Sequence, residues 1–485
     1  MSAEAITVDW LLTDPGVAPQ QVGARICIDD GRIATLTPTA PAGNGLIAMP
    51  GLANAHDHGR AINATPFGGF DKPLESWLAY LGIIPGLDAY RAAACAFGNA
   101  ARGGVGRVMV HYTRLQGLTD PVTEAIDVAR AARDVGTHIG FAVALRDRHP
   151  ITYADNAHSL AHLPLPLRAS VQARLDRAPL SATAQLALVE DIIAACDGPG
   201  CNVQYGPTGV QWCTPALLQA IADASACKQK QVHMHLLETR YQREWADHHF
   251  PDGIVRYLHD IGLLSPRLTL AHCTYCRPDE LQLIAQSGAT IAINTSSNLA
   301  LRSGAAPVAT LLATGCRIAM GIDGQALDED DDALRELRLL YQLHKGWGYD
   351  SAMSQAQTWQ TASRHGRWSV SGVHSSSTIA AGDVADLILL DGTALMTDRM
   401  FDDVPVFDFV LARANAQHIR RVIVAGKTIV ADGVVLGIDH PALLREMLRE
   451  CRDKLPQSEA WRATVQAMDQ AFKPFYSGRH HLGCC

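Results

Sequence analysis

The chain has 485 residues, 48% of them hydrophobic and 19% charged, with a formal net charge of −8 at pH 7. That length exceeds one ordinary core, so a large domain with a smaller companion is expected, and the acidic balance argues against nucleic acid and anionic membrane as partners. The sequence opens without a Lys/Arg-led leader and carries no bilayer-length apolar run; with twelve scattered cysteines, this points to a reduced, cytoplasmic protein.

Residues 1–50 read as short strands and turns. Ile26-Cys-Ile-Asp-Asp-Gly-Arg-Ile33 sets Asp-Asp-Gly between two apolar runs, a hairpin signal. The same texture returns in Ala385–Asp391 and Val422–Gly433, so one small β-sandwich assembled from both termini is expected. Between them the chain repeats strand then helix. Strands are expected up to His56, then at Gly106–His111, Thr137–Leu145, Cys201–Tyr205, Gln231 onward, Arg267–His272, Ala289–Asn294 and Arg317–Asp323. Helices are expected through Ala132 and over Ala216–Ser225, Pro278–Gln286, Pro307–Thr314 and Asp332–His344. Eight βα repeats predict an α/β fold with a closed (β/α)₈ TIM-like barrel. The organisation expected is 1–50 and 376–438 for the two parts of the sandwich, 51–375 for the barrel, and 439–485 for a helical extension.

No GxGxxG or Walker A loop follows any strand, which removes the dinucleotide and NTPase readings. The lone C-x-x-C of Cys273 and Cys276 reads as strand-end packing. Asp328–Asp332 reads as helix-start capping. Arg479-His-His-Leu-Gly-Cys-Cys485 reads as a frayed tail, and Leu443–Asp453 with Glu459–Ala471 as helices packed on the barrel or at a subunit contact.

Histidines and a carboxylate fall where barrel strands end. His56-Asp57-His58 ends strand one, His235 strand five, His272 strand six and Asp323 strand eight. Strand ends of a barrel share one mouth, so these residues converge. In Gln231–Thr239, His233 and His235 lie on one strand face. Glu238 joins them only if the strand has ended and the chain is turning. His111 ends strand two at the same mouth. With Trp77, Gln204 and Arg60 it is a candidate substrate contact, although packing serves Trp77 equally well.

Taken together, Pro50-Gly-Leu-Ala-Asn-Ala-His-Asp-His58, His233-Met-His-Leu-Leu-Glu-Thr239, Ala271-His-Cys273, Asn294-Thr-Ser-Ser-Asn298 and Gly321-Ile-Asp323 resemble the amidohydrolase superfamily. More narrowly, the chain is similar to its cytosine-deaminase-like, chlorohydrolase-related aminohydrolase branch. The resemblance implies a metal site of His56, His58, His235 and Asp323 for one divalent ion, zinc first and iron second. It implies Glu238, His272 and Asp323 as the catalytic residues, with His233 in support. Strand four lacks the lysine that binuclear members use, so a single ion is expected. The implied reaction is hydrolytic deamination of a small N-heterocycle of aminopurine, pterin, pyrimidine or triazine type. Amide, urea or C–Cl hydrolysis, or an inactive metal-binding scaffold, are the competing expectations. Relatives acting on nucleosides often carry Pro-His-x-Pro-Tyr after strand four; here Gly206-Pro-Thr-Gly-Val-Gln-Trp212 favours a free base. The expected partners are a small-molecule substrate and further copies of the chain, as a dimer or larger homo-oligomer.

Overall fold

Strand-forming runs at the two ends of the chain satisfy one another's backbone hydrogen bonds. The computed structural model describes residues 4–176, 178–324 and 329–483. Among them, Glu4–Leu11, Gln21–Asp29, Arg32–Pro38 and Leu46–Pro50 join Leu387–Asp391, Ile419–Val424, Lys427–Ala431 and Val434–Val435 in one sheet. The seam is the antiparallel pairing of Leu46–Pro50 with Leu387–Asp391. The sheet curls until Arg32 bridges to Val384, enclosing Ile6, Val8, Ile26, Ile33 and Leu387 in a core of its own. The composite β domain is therefore present, with hydrogen bonding continuous through both termini. At its Asp30-Gly31 turn both residues take positive φ, 44° and 75°, as a two-residue hairpin with the natural strand twist requires.

One residue, Gly51, separates this sheet from the barrel. The barrel strands Leu52–Asp57, Val105–Tyr112, His138–Leu145, Cys201–Pro207, Val232–Leu236, Leu268–His272, Thr290–Ile293 and Arg317–Met320 pair in chain order, each parallel to the next. They are almost entirely buried, as parallel strands covered by helices must be. The ring closes just beyond the last strand. There the amides of Ile322 and Asp323 donate to the His56 carbonyl at 3.2 and 2.9 Å. Closure thus sets Asp323 beside the end of the first strand.

The helix Gly366–Ser371 plugs the opposite end, and a Cβ at Gly366 would lie 2.8 Å from the Ala53 carbonyl oxygen. Asn202 Nδ2 and Gln204 Nε2 donate to the Val370 carbonyl.

Several elements differ from expectation. Leu74–Leu81 and Ala89–Arg102 are helices that the strand–helix rhythm alone did not mark. A helix, Thr295–Ala300, begins directly after strand seven and turns Asn294–Asn298 toward the mouth. The terminal helices, His440–Lys454 and Glu459–Ser477, are more than an appendage, because the second forms part of the cavity wall described below. The tail is ordered through Gly483 rather than frayed. His481 is buried, with Nε2 3.0 Å from a Glu244 carboxylate oxygen. Cys484 and Cys485 lie outside the described residues, as does Asp328 of the acidic run. Asp332 of that run caps Ala333–His344 by accepting from the amides of Leu334 and Arg335. Cys273 and Cys276 are buried free thiols.

Candidate active site

Each histidine at the mouth is fixed through one ring nitrogen, which frees the other. His58 Nδ1 lies 2.8 Å from the His111 carbonyl oxygen, and His235 Nδ1 lies 2.7 Å from that of Thr208. A carbonyl only accepts, so both Nδ1 atoms carry a proton, and in the neutral ring each Nε2 keeps a lone pair. His56 Nδ1 meets His233 Nε2 at 2.7 Å, the two rings stacked with centroids 4.9 Å apart. His233 reaches it because it shares a strand face with His235.

The free nitrogens face one carboxylate. His58 Nε2 is 3.0 Å and His56 Nε2 is 3.2 Å from Asp323 Oδ1, and His56 Nε2 makes no well-formed hydrogen bond. Lone pairs aimed at an anionic oxygen repel one another and are reconciled by a cation. The donors of His56, His58 and Asp323 lie within 4.8 Å of one another, as do those of His56, His235 and His272. Burial brings the His56 imidazole down to about 4 and holds His235 well below its ordinary value, so both are neutral, the state in which imidazole binds metal. Burial opposes the charge on Asp323; positive charge at the His56 and His58 rings holds the carboxyl well below its usual range, and with neutral rings a bound cation would supply that charge. Ser297 Oγ donates to Asp323 Oδ2 at 2.5 Å. The set fits a divalent metal ion.

Glu238 enters because strand five ends at Leu236 and Leu237 turns with φ 50°. Its carboxylate accepts from Ser303 Oγ at 3.2 Å and lies 3.6 Å from His272 Nε2. Burial pushes it up to about 7, His272 opposing and Asp323 reinforcing the rise. His272 Nδ1 meets Asn298 Oδ1 at 2.9 Å, directing Nε2 toward Glu238 and, at 3.9 Å, Asp323 Oδ2. His272 and Asp323 hold φ of 76° and 61°, backbone that non-glycine residues adopt at a cost and that gathers at functional sites.

Above these groups opens a cavity of about 690 Å³. Arg60 and Trp77 line it, the guanidinium 5.3 Å from the indole centroid. Two of the expected substrate contacts lie beneath the cavity rather than on its wall. His111 is fully buried beneath the histidine cluster, with Nε2 3.0 Å from the Gly206 carbonyl oxygen, and it serves the site through its own carbonyl. Gln204 is also fully buried, and its amide nitrogen donates to the Ser369 and Val370 carbonyls of the barrel plug, while Oε1 has no hydrogen-bond partner among the described residues. Its place on the strand, three residues before the end, puts it below the mouth.

The sequence reading missed Ser297 and Asn298 as partners of Asp323 and His272. It also missed the wall made by Trp461, Met468, Phe472 and Tyr476 of the last helix. Their spacing of four to seven residues was the available signal.

An amidohydrolase family model matches residues 47–429, and the chain belongs to the amidohydrolase family. It is 33% identical over 241 residues to a 5-methylthioadenosine/S-adenosylhomocysteine deaminase of Nitratidesulfovibrio vulgaris, a match covering 50% of this chain and 54% of that protein. An enzyme of the same name from Dictyoglomus thermophilum is 24% identical over 427 residues, covering 86% and 89%. Among solved structures, an adenosine deaminase from Xanthomonas campestris with bound zinc superposes with a TM-score of 0.75 at 22% identity, over 93% of this chain and 98% of that one. Atrazine chlorohydrolase from Arthrobacter aurescens complexed with zinc gives 0.76 at 20% identity, over 92% and 99%. These structural likenesses show the shared fold.

Proposed function

We propose that this protein is a metal-dependent hydrolytic deaminase that releases ammonia from a small N-heterocycle, with His56, His58, His235 and Asp323 holding one ion. Zinc is the first choice, supported by the three-imidazole, one-carboxylate donor set and by the zinc in two solved relatives. The observation that carries the reading is Glu238. It is a buried carboxyl poised at about 7, facing the cavity beside the His/Asp set. A general acid works best with a pKa near the operating pH.

When bound, the metal supplies Lewis acidity that brings the pKa of a water toward neutrality. Asp323 takes a proton from the attacking water, and His272 Nε2 orients that water from across the same space. Glu238, protonated, gives its proton to the ring nitrogen next to the amino-bearing carbon. As the carbonyl forms, the remaining hydroxyl proton returns to Glu238. The proton on Asp323 passes to the departing amine, which leaves as ammonia.

A second reading enlarges the substrate. The two curated relatives are named for nucleoside-type deamination. A cavity of about 690 Å³ is of the size that encloses drug-sized ligands, roughly 300–1,000 Å³, so a substituted aminopurine is accommodated as well as a free base. Assembly into a homo-oligomer is supported by the exposed Trp347 and Tyr349 on a short hairpin. Among the described residues no helix is long and apolar enough to cross a membrane. The cytoplasmic setting rests on sequence composition.

The test is ammonia and chloride release by zinc-loaded protein. Its panel holds free aminopurines, pterins, pyrimidines and triazines, adenosine derivatives, chlorotriazines, amides and ureas. Ammonia from one amino-heterocycle class is expected. Turnover confined to chlorides, amides or ureas would overturn the deaminase reading.

A further inference from the structure

A second cluster of imidazoles lies away from the barrel mouth. His158 and His162 stand one turn apart on the helix Asn156–His162, on the same face. His480 reaches them from the tail, more than three hundred residues later. The ring centroids are 4.4 Å apart for His158 and His162, and 4.3 Å for His162 and His480. The three offer donor atoms within 4.8 Å of one another, the spacing also met by the barrel triads.

The local chemistry repeats that of the mouth. His162 Nδ1 lies 2.9 Å from the His158 carbonyl oxygen, so Nδ1 donates and Nε2 is left as a ligand. His480 is placed by its neighbours. Arg479 turns the chain with φ 59°, and a Cβ on Gly478 would stand 2.7 Å from His480 Nε2. The adjacent His481 points inward to Glu244 instead, which separates an anchoring imidazole from an outward one. Packing around Phe475 is the plainer account of the rings, at 5.3 to 6.0 Å from its centroid. It gives no reason for the exposed His162 to meet His480 rather than water.

We infer that His158, His162 and His480 form a second transition-metal site, of zinc class, that fastens the C-terminal extension to the loop region after the third barrel strand. Both parts border the cavity, through Phe472 and Tyr476 on one side and Tyr153 on the other. Three imidazoles leave the fourth tetrahedral position to water. An ion there ties the wall of the cavity to the barrel without entering the reaction.

The test is zinc stoichiometry by mass spectrometry on metal-stripped, tag-free full-length protein, re-equilibrated with buffered micromolar zinc. Wild type is expected to hold two equivalents per chain, and His162→Ala and His480→Ala one each. His58→Ala, which addresses the barrel site, is expected to keep the tail ion. Zinc should also raise the melting temperature of His58→Ala but not that of a His58→Ala/His162→Ala double variant. Because the sequence continues into Cys484 and Cys485, a Cys484→Ser/Cys485→Ser variant should still bind two; loss of one would assign the ion to thiols and overturn the proposal. Equal zinc content in wild type and His162→Ala would also overturn it. A wild type with one equivalent that disappears in His162→Ala would uphold this site while refuting the barrel site.

Discussion

At the floor of the cavity, His56, His58, His235 and Asp323 sit within two residues of a strand end or of the barrel closure, buried and each held by a second partner. The wall is different material: the apolar face of a terminal helix that meets the barrel by side-chain packing, along with loops after strands one and three. Floor positions follow from backbone geometry, since the amide that closes the barrel belongs to the residue that supplies the carboxylate. Wall positions follow from shape. The floor should therefore govern whether chemistry occurs, and the wall which molecule undergoes it.

Substitutions should divide along that line. The largest effect is expected from Asp323→Asn, which on the proposed mechanism removes a ligand and a base together. Metal content should fall, and kcat should drop by at least the ~10⁴-fold upper end for one acid–base group. Ser297→Ala leaves the ligands in place but removes the 2.5 Å hydrogen bond to Asp323. A bond to a charged group is worth about 1.5–3 kcal/mol, so kcat should fall roughly 10- to 100-fold with metal retained. An unchanged kcat would detach Ser297 from the floor. Phe472→Ala, in the wall, should raise KM several-fold and leave kcat nearly unchanged, the signature of lost uniform binding. A kcat loss as large as that of Ser297→Ala would erase the distinction between floor and wall.

The smallest effect lies outside both regions. His138, at the start of the third barrel strand beside Arg107 and Asp386, is brought down to about 4 by burial and then by Arg107; burial brings His344 to about 4 as well. In the unfolded chain both return to about 6.5. The unfolded state thus binds more protons between those values. Their stability contribution is complete above about pH 6.5 and is lost as pH falls toward 4. Melting temperature should be flat on the alkaline side and fall over that acid window. In His138→Gln the fall should be shallower.

The contrast also explains what could be read from the sequence. Strand ends are marked locally, by apolar runs broken at His56, His235, His272 and Asp323, so the barrel and its convergent residues were legible. The depth of Gln204 and His111 was not legible, because alternation along a strand says which face a side chain takes, not how deep it lies. Gln204 serves a plug, Gly366–Ser371, that sequence distance conceals. The last helix showed its apolar stripe but not its partner, since packing between distant elements leaves no local mark. The ordered tail was missed for the same reason: its anchors, Glu244 for His481 and His162 for His480, lie far back in the chain.

The most direct test is a side-by-side measurement of bound metal and ammonia release for wild type and Glu238→Gln, on whichever amino-heterocycle the wild type turns over. Both proteins should hold the barrel ion in equal amount, while the variant loses about 10²- to 10⁴-fold in kcat. Turnover by Glu238→Gln at the wild-type rate would contradict the account, because the buried carboxyl at about 7 would then have no part in the reaction.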